Sequence, residues 1–213
     1  MPFARTEVTF YHSEKDVRGY VREAELLEEF TFEGEGTLGR LAYASAASEL
    51  LGLLLPEEEP QRQLYTYYVN YLKHVEKVPK SSLPAVFIAF FLRLLSHLGY
   101  HPSLAFCVGC GKDVKSLRKT ARMSVSIDRG GMVCETCQKP GDYYIGFSTD
   151  EYDRLLTLQT ASLDEASSVT LKFAQATRIM EMLTRFLAGQ TGMKSDLKSL
   201  EFIEKLKNSQ LIG

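Results

Sequence analysis

Apolar and polar residues alternate through Val8, Thr9, Phe10 and Tyr11, a charged turn follows at Ser13, Glu14, Lys15 and Asp16, and a second short run passes through Val17, Tyr20 and Val21. Alternation on both sides of a turn predicts a β-hairpin. An isolated hairpin is marginal in water, so this one is expected to join a larger sheet or to pack on the helices that follow. From Glu23 the spacing turns helical, first with Leu26, Leu27 and Phe30, then with Leu41, Ala44, Ala47, Leu51 and Leu54 until Pro56 stops it. The next helix puts Leu64, Tyr68, Leu72 and Val75 on one stripe ahead of Pro79. A third opens near Ser82 with Pro84 in its first turn and closes at Gly99. Its Phe87, Phe90, Phe91, Leu94 and Leu95 make it the most apolar helix, so it is expected to be central.

A cysteine-bearing insert, about 103–147, interrupts the helices. After it, Ser148 and Glu151 have capping-box spacing ahead of Tyr152, Leu155 and Leu156, which predicts another helix start. A long helix with Val169, Phe173, Ala176, Ile179, Leu183 and Phe186 on one face should break at Gly189 and Gly192, and Ser195 can cap a last helix carrying Leu197, Leu200 and Ile203. The expected fold class is mainly α, a helical domain with a small metal-bound insert and a short N-terminal β-hairpin. There is no internal repeat or low-complexity segment, and the run Glu57, Glu58, Glu59 reads as a solvated loop.

All four cysteines fall into two Cys-x-x-Cys pairs, Cys107 with Cys110 and Cys134 with Cys137. Two residues between ligands let both sulfurs of a pair turn to one point, and two such pairs supply the four thiolates of a closed tetrahedral zinc site. Gly109 and Gly111 free the first knuckle, and Gly130 and Gly131 make the bend into the second. The 23 residues between the pairs exceed the usual interval of about 15 to 20, which a longer intervening ribbon accommodates. Disulfides are disfavoured in a reducing cytosol, and a redox Cys-x-x-Cys normally occurs once, at a helix start. An iron–sulfur cluster, which four cysteines can also hold, stays open. With four protein ligands a zinc ion has no position left for water or substrate, so its role would be structural.

Composition narrows the function. With 25 basic and 27 acidic residues the formal net charge is −2, which gives no whole-molecule attraction to nucleic acid or anionic lipid, so any DNA contact needs a local patch. No apolar run approaches the ~20 residues of a membrane span, and a cytoplasmic protein with no membrane partner is expected. The clearest local basic excess surrounds the cysteines, where Lys112, Lys115, Arg118, Lys119, Arg122, Arg129 and Lys139 face only Asp113, Asp128 and Glu135. Two explanations stand side by side: these cations offset the net charge, near −2, of a zinc bound by four thiolates, or they contact DNA phosphates. On the long helix Arg178 and Arg185 lie seven apart on one face beside Ile179, Met182 and Phe186, either as the snorkelling rim of a core helix or as a groove for an acidic, apolar peptide. His12, His74, His97 and His101 have no metal-ligand spacing, and no phosphate-binding loop or nucleophile elbow appears, so an enzyme is not expected.

Taken in order, the segment Glu23 to Phe30, the Glu49-Leu50-Leu51 stretch running into Pro56 to Pro60 and Leu64-Tyr65, the run Phe91 to Pro102, the approach Gly130 to Cys134, and the terminal Lys194-Ser195 with Phe202 to Leu206 resemble the RecO family of bacterial recombination and repair mediators. The similarity covers nearly the whole chain, and the cysteines stand where zinc-containing members carry theirs. The resemblance implies an OB-fold barrel joined to a helical domain with the zinc insert, binding to single- and double-stranded DNA, strand annealing, a nucleoid-associated location, and work with RecR and single-strand-binding protein. Residues 1–22 would be the last strands of the barrel, most of which is expected to be missing through truncation or loss, and 23–213 the helical domain. An OB barrel supplies the groove and stacking aromatics for single strands, so the DNA affinity that the resemblance implies is lowered accordingly. A protein-interaction adaptor with little DNA binding of its own is the alternative. The resemblance also implies recognition of the acidic, Phe-ending tail of single-strand-binding protein, for which helix spacing selects Arg178 and Arg185.

Overall fold

A computed structural model of the chain describes residues 3–13, 16–56, 59–117, 122–192 and 197–208. The first elements form a long antiparallel ribbon, β1 (Ala4–Ser13) paired with β2 (Asp16–Glu29). The hairpin is therefore as the alternation predicts, with Ser13 opposite Asp16, while Glu14 and Lys15 of its turn lie outside the described residues. The helical spacing from Glu23 is not a helix: Leu26 pairs with Thr6 and Glu29 with Ala4, and no helix begins until Thr37. Glu, Ala and Leu favour helix locally, but the partner strand, rich in β-branched and aromatic residues, decides the outcome. At its base the ribbon is tied to the helices by the Phe3 and Phe32 rings, 5.3 Å apart, by the Lys73–Glu28 ion pair at 3.0 Å, and by Thr31 N–H donating to Glu76 at 3.2 Å. Its far half is bare, with Val8, Phe10, Tyr11, Tyr20 and Val21 all exposed.

Three helices follow, α1 (Thr37–Leu54), α2 (Arg62–Lys77) and α3 (Leu83–His97), within a residue or two of the Pro and Gly stops. Every residue of α3 from Ala85 to Leu92 is buried, as expected of the most apolar helix. It packs against α1 and α2 and, further along the chain, against α5 (Thr149–Thr160), α6 (Leu163–Ser167) and α7 (Phe173–Thr191). Phe90 sits in an aromatic cluster, 4.4 Å from the Tyr71 ring and 5.6 Å from that of Tyr67. Tyr71 is wholly buried because its hydroxyl has a partner, the Tyr43 carbonyl at 2.9 Å. The alanines Ala42, Ala44, Ala46 and Ala47 of α1 are buried, and the last helix, α8 (Lys198–Asn208), packs against α1.

The predicted capping box is present, with Ser148 and Glu151 bonding reciprocally at the start of α5. A second one, Ser162 with Glu165, opens the short α6 that periodicity did not reveal. The long helix starts at Phe173, so Val169 precedes it. Gly189 lies inside it, and the break comes at Gly192, a left-handed cap with φ 70°. The expected cap Ser195 lies outside the described residues; at the start of α8, Glu49 on α1 accepts the Lys198 and Ser199 N–H groups at 3.0 and 2.9 Å. The domain is mainly helical, and no described helix is long and apolar enough to cross a membrane.

Candidate metal centre

The insert is built on a three-stranded antiparallel sheet, β3 (Arg122–Ser126) between β4 (Gly131–Val133) and β5 (Ile145–Ser148), preceded by a single turn, α4 (Val114–Leu117). The β3–β4 hairpin of this sheet is the ribbon that fills the long interval between the cysteine pairs. The first knuckle is closed by Cys107 N–H donating to the Lys112 carbonyl at 2.9 Å and Gly111 N–H donating to the Cys107 carbonyl at 2.8 Å. Val108 N–H donates to the Met132 carbonyl at 2.9 Å, which hangs this knuckle on β4. The second knuckle leaves β4 directly, and Cys137 N–H returns to the Cys134 carbonyl at 2.9 Å.

All four sulfurs lie within 4.8 Å of one another, so the structure brings together the whole predicted ligand set. The Cys110 and Cys134 sulfurs are 3.7 Å apart. That is far beyond a disulfide bond, about 2.05 Å, and close to the ~3.8 Å edge of a tetrahedron with ~2.3 Å zinc–sulfur bonds. Two N–H groups, of Gly109 and Cys134, donate to the Cys107 sulfur, each at 3.3 Å. Burial opposes ionisation of Cys107, yet backbone donation from Cys134, Gly109 and Cys110 outweighs it and brings the thiol down to about 6. The Thr136 hydroxyl, 3.2 Å from the Cys134 sulfur, lowers that thiol too. Cys137 is pushed up to about 12, first by its contact with Cys134 and then by burial and the other sulfurs. Sulfurs this close cannot all ionise against one another, and a divalent cation at their centre removes that conflict. The donor set and spacing fit a zinc ion.

Around the thiols the predicted basic residues separate into different roles. Lys112 and Lys115 are exposed, and Lys115 N–H caps onto the Asp113 carboxylate at 2.7 Å. Arg122 is exposed at the start of β3, opposite Ser148. Arg118 and Lys119 lie outside the described residues. Arg129 turns inward and donates to the Cys137 carbonyl at 2.9 Å. A Cβ at Gly109 would meet Arg129 Nη2 at 2.8 Å and the Cys137 Sγ at 2.9 Å, so the absence of a side chain lets the two knuckles close. Gly131 likewise has no room, because the Ser103 backbone carbonyl occupies it.

On α7, Arg178 pairs with Glu151 at 3.3 Å, while Arg185 pairs with Glu181 at 2.8 Å and lies 5.4 Å over the Tyr143 ring. A cavity of about 230 Å³ between α7 and α8 is lined by Arg185, Met180 and Leu200, but also by Glu181, Glu201 and Glu204, whose charges oppose an acidic tail. Arg178 is not among its lining residues. No spacing rule links Glu151 to Arg178, so this pairing had no sequence signal.

Residues 35–201 match the family described as Recombination protein O C terminal. The chain is 31% identical over 188 residues to the DNA repair protein RecO of Symbiobacterium thermophilum, covering 88% of this chain and 72% of that protein. It is also 31% identical over 209 residues to the DNA repair protein RecO of Pelobacter propionicus, covering 97% of this chain and 77% of the relative. The protein of the same name from Anaeromyxobacter dehalogenans is 29% identical over 171 residues, 80% of this chain and 64% of the relative.

Proposed function

The chain belongs to the RecO family, and from that premise we propose that it is a non-enzymatic mediator of DNA repair and recombination, working with RecR and single-strand-binding protein. The four-sulfur cluster inside the matched region carries the reading. Held by four thiolates, a zinc ion has no open position, so it stabilises the insert and presents its surface. Lys112, Lys115 and Arg122, all exposed, are read together with Arg118, Lys119 and Arg129 as the residues that would contact DNA phosphates during strand annealing and recombinase loading. The ribbon β1–β2 is read as part of an OB-type barrel, and Arg178 and Arg185 as the docking residues for the tail of single-strand-binding protein.

Replacing Lys115, Arg118, Lys119 and Arg122 together with Ala tests this. DNA affinity should fall alike for unrelated sequences, and the slope of log affinity against log salt should drop by about 0.7 to 0.9 for each phosphate left unneutralised. An unchanged slope in the folded variant refutes DNA contact by the insert. One observation favours a second reading, a zinc-stabilised protein adaptor with little DNA binding: Arg129 is spent on the Cys137 carbonyl, as a cation offsetting the thiolates would be.

A further inference from the structure

Apart from the thiols, α2, the end of α3 and the start of α6 enclose a cavity of about 530 Å³. Tyr67, Asn70 and His74 line it from one face of α2, Arg93 and His97 from successive turns of α3, and Asp164 from α6. Nothing assigned to metal or DNA above lies in it.

Its polar groups are unevenly satisfied. Arg93 is exposed and has no carboxylate partner among the described residues. The Tyr67 hydroxyl is shut off from water and no group makes a well-formed hydrogen bond to it, although the Arg93 guanidinium lies beside it. Burial pushes its pKa up to about 12 against the opposing charge of neighbouring Arg93, so the phenol keeps its proton and can donate. The carboxylate in the lining, Asp164, is taken by His74 at 3.0 Å. The other nitrogen of His74 lies 2.7 Å from the Asn70 carbonyl oxygen, so the ring is held in place between α2 and α6. Asp164 is thus engaged by His74 and not by Arg93.

We propose that this cavity binds a phosphate-class oxyanion, with the Arg93 guanidinium as its charge partner and the Tyr67 hydroxyl as a second donor. A guanidinium presents paired donors to tetrahedral oxyanions, and its long stem lets it swing onto a ligand and bring that ligand to the hydroxyl beside it. The cavity is larger than inorganic phosphate, so the same chemistry can come from free phosphate or from a mononucleotide.

Calorimetric titration of the full chain with inorganic phosphate and with deoxyadenosine monophosphate, against chloride at matched ionic strength, tests it. Saturable phosphate binding is expected, weakened about tenfold or more in Arg93→Gln. Tyr67→Phe keeps the ring stacked on Phe90 and should bind several-fold more weakly without losing thermal stability. Tighter binding of the mononucleotide identifies the nucleotide as occupant, and equal affinity identifies free phosphate. Phosphate binding no stronger than chloride in the wild type, or wild-type affinity in folded Arg93→Gln, overturns the proposal whether or not the insert binds DNA.

Discussion

Replacing Gly109 with Ala should weaken metal binding while leaving the helical domain folded. The added methyl would lie 2.8 Å from the Cys137 Cβ, 2.9 Å from its Sγ and 2.8 Å from Arg129 Nη2. The guanidinium is the end of a flexible side chain and can move aside. Cys137 cannot, because its sulfur must stay within reach of the other three. Forcing one carbon into a closed site costs about 1–3 kcal/mol, which is roughly a five- to 150-fold loss of metal affinity. Competition against a chromophoric zinc chelator measures it, with helical circular dichroism as the check on folding. Gly146→Ala is the control, since a Cβ there meets nothing within 4 Å. Adding Arg129→Ala to Gly109→Ala should recover only part of the loss, because the clash with Cys137 persists. Zinc affinity in Gly109→Ala within about twofold of the wild type, less than ~0.5 kcal/mol, would refute the argument that knuckle closure needs this glycine.

Glu49→Ala removes the acceptor for two N–H groups at the start of α8 and should cost about 0.5–2 kcal/mol, read as faster amide exchange across Lys198–Asn208; unchanged exchange there sinks the capping role. Arg178→Gln with Arg185→Gln should weaken binding of a fluorescent tail peptide of single-strand-binding protein at least severalfold relative to an unrelated acidic peptide, and unchanged affinity places the tail elsewhere. Glu replacements are the poorer probe, since a carboxylate at 178 would face the nearly buried Glu151.

Punctuation made the helical domain legible: Pro56, Pro79, Pro84 and Gly99 bound helices wherever the chain is free to follow its local preference. Residues 23–29 were illegible for the opposite reason, since their composition favours helix and only pairing with the start of β1 makes them strand. The thiol cluster was legible because each pair is local and the pairs together account for every cysteine. The basic surface was not, because counting charges says nothing of direction. Arg129 counted the same as Lys112, yet one folds onto a carbonyl and the other stays exposed. For the same reason Arg178 and Arg185 looked equivalent by spacing, while Glu151 and Glu181, which engage them, come from different elements.

The insert shares its core with the helices, and this fixes how far metal loss should spread. Met123, Val125, Met132 and Phe147 are buried with the helical core, β5 runs directly into α5, and the Phe147 ring lies 6.3 Å from that of Tyr152. The Tyr152 hydroxyl donates to the Leu104 carbonyl at 2.7 Å, three residues before the first thiol. The central helix α3 is instead buried against five helices. A structural zinc contributes its binding free energy to folding, so chelation should remove exchange protection from β3, β4, β5 and the first turns of α5, and leave α3 protected. Hydrogen exchange with and without chelator separates the outcomes. Loss of protection throughout α3 would mean the metal holds the entire domain, and unchanged protection in β4 would mean the four sulfurs hold no metal that matters to the fold.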